Sequence, residues 1–366
     1  MAGTAMARWP GTPGVPRTLI DRRPFRCLAS VGWTCGRQDS SFATPGGGTP
    51  FLVGDVIMLL ACFAGRRRRP ARRAALTARA AGGDSPPLAV RDLGEKGQGV
   101  VAARRIRRGE LILEEAPVLT VRRLDDLGQL PAWSEEIREE LDKCSEEQQA
   151  QFWSLADVHA QDGSKTVAGV VRTNGLPVDL EDGVERLGIY GTVSRFNHSC
   201  GNNVHNAWQA DRKLEALHAL RDVEAGEELC ITYIDIFQER CLRRQELLQT
   251  FKFSCGCPVC SLPQEQQEAS DRARFRLRQL REVLPQSQGL APQVVQKMAE
   301  LIDQELQGNP AAKMWVYHFA FGMYQDLPDG GRDQAKVFAQ LALNECLVAE
   351  GQESWLSQAL KSYLQS

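Results

Sequence analysis

From Leu88 onward the chain alternates short apolar runs with charged or glycine-containing turns. Leu88–Asp92, Gly99–Arg104 and Glu110–Val121 are rich in Val, Ile and Leu, and the pattern predicts strands. Between 133 and 160 the period changes. Trp133, Ile137, Leu141, Phe152 and Leu155 recur among Glu and Gln at the spacing of an amphipathic helix. Residues 166–180 are mixed, with turn signals at Asn174-Gly175 and Pro177. A second β-rich stretch runs from Val193 to Tyr233, and a helix is predicted over 237–250. From 265 to the end the pattern is helical, with Gly and Pro breaks near 285–291, 308–309, 327–331 and 351.

Composition narrows the class. At 366 residues, with 43% hydrophobic and 25% charged residues, the chain suits a globular protein of two or three domains. No run of about 18 apolar residues exists, so no stable membrane insertion is expected; the longest candidate, 51–65, contains Asp55. The net charge of −2 hides an asymmetry. Residues 1–87 hold 13 Arg and four Asp without Lys or Glu, a balance of +9, which leaves −11 for the rest. This Arg-, Gly- and Pro-rich extension shows no sustained periodicity and is expected to be disordered. Three functions compete for it: an organelle transit peptide, a nuclear import or nucleic-acid contact at Arg66–Arg73, and a membrane-surface helix at 51–65. A solvated tail without a single job is the plain alternative. The acidic body favours basic partners.

Eleven cysteines, odd in number and unevenly placed, do not suit a secreted disulfide scaffold. Reduced thiols, some on a metal, and an intracellular location are the expectation. Cys255-Gly-Cys257-Pro-Val-Cys260 cannot place three sulfurs on one face of a regular helix, but a turn containing Gly and Pro can converge them. A structural zinc site takes four ligands, so a fourth must come from elsewhere in the chain.

Four stretches, in order, resemble the SET-domain family of protein-lysine methyltransferases. Gly94–Val100 (GEKGQGV) is similar to the family's first cofactor loop, and Arg195–Cys200 (RFNHSC) to its Asn-His-Ser-Cys core. Gly226–Asp235 (GEELCITYID) is similar to the catalytic-tyrosine strand, and Phe253–Cys260 (FSCGCPVC) to a post-SET zinc cluster. The cysteine spacing, the helical tail and Val171–Gly175 resemble the SET-and-MYND branch. Its MYND finger has no counterpart, since residues 120–196 contain only Cys144 and His159. In Gly201-Asn202-Asn203 the family's proline before the last asparagine is missing.

The resemblance implies an α+β fold: small SET-type sheets over 88–237 with a helical insert at about 130–185, a zinc-bound post-SET segment at 238–262, and a helical region over 263–366. That region, with Trp315, Tyr317, Phe319 and Phe321 followed by Ala335, Phe338, Leu341, Ala342 and Leu347, is similar to one or two tetratricopeptide units or to a plain bundle, and can dock partners. The implied activity is methyl transfer from S-adenosylmethionine to a lysine of a protein substrate, a histone or another basic protein. The alternative is a non-catalytic, zinc-stapled module that binds peptides or serves as a scaffold. Tyr233 carries over as the catalytic residue; Lys96, Gly97, Gln98, Asn197, His198, Tyr233 and Phe253 as cofactor-binding; Cys200, Cys255, Cys257 and Cys260 as structural Zn2+ ligands. Each has a plain reading beside it: a hairpin turn for 94–99, a core histidine for His198, a packed aromatic for Tyr233 and Phe253, a buried thiol for Cys200. Tyr190 is a candidate wall of the lysine channel. Nucleus or cytoplasm is the expected location, with a plastid or mitochondrion as the alternative.

Overall fold

The computed structural model describes residues 87–124, 126–179, 184–327 and 331–366. The expectations for the N-terminal extension lie outside these residues, apart from Pro87. Nearly all described residues belong to one unit, formed by 73–178 and 185–366. The fold is mixed α+β.

Strands β1 (Leu88–Asp92) and β2 (Gln98–Ala102) form an antiparallel hairpin that pairs Leu88 with Ala102 and Asp92 with Gln98. Its turn needs positive φ at Gly94 (68°) and Gly97 (69°), which only glycine adopts without strain. The single strand expected over Glu110–Val121 is two, β3 (Leu111–Glu115) and β4 (Leu119–Arg122). Pro117 lies between them; it has no N–H for a ladder, and the chain changes sheets there.

The insert also divides. Helix α1 (Leu130–Asp142) starts with Pro131 in its first turn and buries Trp133, Ile137 and Leu141. Helix α2 (Glu146–Ser154) starts anew because Ser145 and Gln148 form a reciprocal capping box. Helix α3 (Val167–Asn174) is capped by Thr166, and β5 (Leu176–Asp179) and β6 (Glu185–Ile189) follow. These pieces bury a hydrophobic cluster of their own, including Trp133, Ile137, Phe152, Val170 and Val171. The Trp133 indole donates to the Arg122 carbonyl at 2.7 Å, so its one polar atom is satisfied.

The remaining strands are β7 (Asn197–His198), β8 (Val204–Gln209), β9 (Leu214–Ala219) and β10 (Cys230–Ile231). The described sheets are β1-β2, β3-β9-β8, β4-β6-β5 and a parallel pair, β7-β10. That pair sets Asn197 beside Cys230 and His198 beside Ile231. The main core, with Val100, Ile112, Tyr190, Phe196, Leu217, Leu229 and Ile231, lies under these sheets. Helix α4 (Arg240–Phe251) leads into the cysteine segment.

Helices α5 (Gln264–Val283), α6 (Ala291–Glu305), α7 (Pro310–Tyr324), α8 (Gly331–Ala349) and α9 (Trp355–Gln365) complete the chain, and their junctions fall near the expected breaks. Arg274 of α5, fully buried, donates to Glu305 of α6 at 2.8 Å and to the Ile236 carbonyl. Asn202, where the family pattern has proline, accepts from the Asn309 amide at 3.2 Å; Asn309 caps α7. Among the described residues no helix is long and apolar enough to cross a membrane.

Candidate active site and thiol cluster

The Gly94–Gly97 turn, β7, β10 and the end of α4 meet at one place. The 94–97 loop is closed by backbone bonds from Leu93 N–H to Gly97 O and from Gly97 N–H to Gly94 O, both 2.8 Å. A Cβ built at Gly94 or Gly97 would meet nothing within 4 Å, so the backbone there is open. A Cβ at Gly99 would lie 2.7 Å from Asn197 Nδ2 and 2.3 Å from Leu93 Cδ1. Glycine at 99 thus lets the hairpin come up against Asn197. The Asn197 amide donates to Glu228 Oε1 at 3.0 Å and to Gln98 O at 3.4 Å. Lys96 Nζ pairs with the other oxygen of Glu228 at 2.6 Å, and that hydrogen bond holds the ammonium pKa above its usual range.

Tyr233 follows β10. Its hydroxyl donates to the Phe196 carbonyl at 2.6 Å, and burial pushes the phenol pKa up, so it stays protonated. Its ring packs 4.8 Å from Phe251 and 5.4 Å from His198, and the His198 ring lies 6.3 Å from Phe253. Lys252, at φ 61°, ends α4 in a left-handed turn between the two phenylalanines. His198 is buried and neutral, its pKa lowered to about 4, chiefly by desolvation. The Tyr233 N–H donates to its Nδ1 at 3.1 Å. A backbone N–H can only donate, so the ring proton sits on Nε2, 3.4 Å from Cys200 Sγ. Both ring nitrogens are therefore engaged inside the protein.

The sulfurs of Cys200, Cys255, Cys257 and Cys260 lie within 4.8 Å of one another. Cys200 and Cys260 are 3.6 Å apart. With Zn–S bonds of about 2.3 Å, a tetrahedron has edges of about 3.8 Å, so the four thiols fit a structural zinc ion. One side chain had escaped the sequence reading. Arg243, fully buried on α4, donates from Nε to Cys200 Sγ at 3.2 Å and from Nη2 to Cys260 Sγ at 3.8 Å. Four thiolates around a divalent cation would carry about two negative charges, part of which this guanidinium would offset. The readable signal was an arginine four residues before Leu247, on the buried face of the helix that leads to the cysteines.

Comparison with known proteins agrees with this geometry. Residues 97–234 match the SET domain family. Over these residues the chain is similar to SET-domain proteins. The histone-lysine N-methyltransferase set5 of Schizosaccharomyces pombe is 34% identical over 183 residues, which cover 50% of this chain and 53% of the relative. The protein-lysine N-trimethyltransferase SMYD5 of Gallus gallus is 40% identical over 79 residues (21% and 19%). The histone-lysine N-methyltransferase SMYD3 of Homo sapiens is 38% identical over 74 residues (20% and 17%). The chain thus spans about half the length of the fission-yeast relative and about a fifth of the other two, and over those stretches it is similar to them.

In this chain Lys96, Gly97, Gln98, Asn197, His198, Tyr233 and Phe253 gather around the hairpin turn and the β7-β10 pair. Tyr190 does not join them at an open surface. It is fully buried in the main core, its hydroxyl 3.4 Å from the buried Glu215 carboxylate. Phe251 and Glu228 also went unnoticed in the sequence. Glu228 lies inside the Gly226–Asp235 motif but looks there like one more surface acid.

Proposed function

We propose that this protein transfers a methyl group from S-adenosylmethionine to the side-chain amine of a lysine in a protein substrate. The observation that carries this reading is the Tyr233 hydroxyl, protonated and spending its hydrogen on the Phe196 carbonyl at 2.6 Å, next to the loop and amide that suit an amino-acid-bearing nucleoside. A hydroxyl whose proton is committed offers only lone pairs to a newcomer. It therefore accepts an N–H from a neutral amine and turns the amine's own lone pair away from the ring, an orientation that in-line displacement requires.

The residues fit the cofactor in kind. The open backbone at Gly94 and Gly97, the exposed Lys96 and the Asn197 amide suit a zwitterionic end, and Phe253 offers an apolar ring for a base. When bound, the cofactor supplies an electrophilic methyl group on a sulfonium. That methyl would pass to the lysine nitrogen with a neutral thioether as leaving group, and the part of this chain's residues would be to hold the uncharged amine in line with it. An ammonium has no lone pair, and free lysine has a pKa of about 10.4. The apolar ring cluster around Tyr233 favours the uncharged amine by desolvation. The thiol cluster would hold zinc as a structural ion. It fastens the segment bearing Phe253 to Cys200, whose Sγ meets His198.

The substrate class is a protein lysine, histone or otherwise, with nucleus or cytoplasm as the working location and an organelle as the competing one. Incubating the purified chain with methyl-labelled cofactor and cell extract, followed by mass spectrometry of lysines, tests the activity. Labelled lysines with the wild type and none with Tyr233→Phe are expected. Cofactor binding without any label transfer, in extracts from each compartment, would instead identify a non-catalytic binding module. A fluorescent fusion of residues 1–87 decides the location.

A further inference from the structure

We propose that Glu228 is a positioning residue that sets the direction of the Asn197 amide and so prepares an acceptor for the cofactor's ammonium. This rests on the cofactor site proposed above. An amide can sit either way round, and its neighbours decide. Asn197 faces two groups that can only accept, the Glu228 carboxylate at 3.0 Å and the Gln98 carbonyl at 3.4 Å. Its amino end must face them. Oδ1 then has no hydrogen-bond partner among the described residues and is the end left for a cationic N–H. Without the carboxylate the amide loses its stronger partner, and the flipped orientation would present N–H groups to an ammonium.

Glu228 is itself held on several sides. Its carbonyl accepts from Asn203 Nδ2 at 2.8 Å, its backbone bridges to Val101 of β2, and the next residue, Leu229, donates to Val100 O at 2.7 Å. Its second oxygen takes Lys96 Nζ at 2.6 Å. One carboxylate thus ties the hairpin loop to the β7-β10 pair. The two arms are unequal. Lys96 has a side chain 63% exposed, and an exposed ion pair contributes little. The Asn197 arm is a charge-assisted bond whose loss also leaves an amide misdirected, which is the larger effect.

The test compares two ligands by calorimetry on the full chain. S-Adenosylhomocysteine carries the amino-acid end; 5′-methylthioadenosine is the same thioether nucleoside without it. In Glu228→Gln, affinity for S-adenosylhomocysteine should fall about tenfold, a typical loss for one charge-assisted bond. Affinity for 5′-methylthioadenosine should change less than twofold, and zinc content and melting temperature should hold. On an Asn197→Ala background, Glu228→Gln should add nothing further. An equal loss for both ligands, or no loss for either, overturns the inference while leaving the cofactor site in place. If the wild type binds neither ligand, the cofactor reading falls and this inference with it. Should Glu228→Gln fail to fold, Glu228→Asp keeps the charge with a shorter reach and is read by the same ratio of affinities.

Discussion

Replacing Arg243 with methionine tests whether the four thiols work as a charged metal centre or only as neighbours in a core. Methionine is similar in length and apolar, so packing around Leu247 is largely kept while the charge is removed. The expected size follows from the geometry. If two negative charges spread over four sulfurs, each carries about half a charge. At the observed 3.2 and 3.8 Å, with an effective dielectric of about 20, the guanidinium gains about 2 kcal/mol from each of the two sulfurs it meets. Part of this is offset by the cost of burying the guanidinium. A net loss of about 2–3 kcal/mol in zinc affinity remains, or roughly a hundredfold in dissociation constant. Competition against a chromogenic chelator measures it directly on protein purified under reducing conditions. Zinc held equally tightly by Arg243→Met would refute the electrostatic role. A wild-type protein that comes out of purification without metal, and takes up none, would refute the metal centre itself.

Four further outcomes are expected. Tyr233→Phe should lower kcat by about a hundredfold or more while changing S-adenosylhomocysteine affinity less than threefold, since only the orienting hydroxyl is lost; wild-type turnover by the purified variant would remove Tyr233 from the mechanism. Gly99→Ala puts a methyl group 2.7 Å from Asn197 Nδ2 and 2.3 Å from Leu93 Cδ1. It should cost about 1–3 kcal/mol in urea unfolding and weaken S-adenosylhomocysteine binding, with zinc retained; unchanged binding would mean that the hairpin does not abut the site. His218 is buried beside His205, Glu350 and Arg212, and burial lowers its pKa to about 4. Between pH 4 and 6.5 the unfolded chain binds a proton there that the folded chain does not, so stability relative to His218→Gln should rise with pH by up to about 3 kcal/mol. Glu215, raised to about 7 chiefly by burial, should do the opposite between pH 4.5 and 7 when compared with Glu215→Gln. A pH-independent difference in either urea series would count against the burial read from the structure.

Much of the site was legible because its chemistry is local. The 94–99 glycines, the Asn197-His198 pair, Tyr233 and the cysteine triplet each sit in short motifs, and a family pattern orders them. What escaped was the support between motifs. Glu228 matters through Lys96, 132 residues away, and Asn197, 31 residues away. No periodicity encodes such contacts. Arg243 looked like an ordinary charge on a mostly polar helix. The strand boundary at Pro117 and the helix start at Ser145 were readable in principle, from a missing donor and a capping box, but apolar spacing alone ran across both. Tyr190 was chosen on residue type alone; it is fully buried, its hydroxyl 3.4 Å from Glu215, in the cluster against which Tyr233 packs.

The distance along the chain between Cys200 and Cys260 has a further consequence. They are 60 residues apart and 3.6 Å apart in space, and β8, β9, β10 and α4 all lie in the intervening span. Bringing the ends of a span that long together costs roughly 3–4 kcal/mol of chain entropy, by logarithmic scaling. During synthesis the first sulfur emerges well before its three partners, so the ring is open until the last of them has left the ribosome. If the four thiols take zinc, a cell short of that ion, or oxidising enough to cap a thiol in that interval, would be left with a chain whose sulfur ring has never been closed.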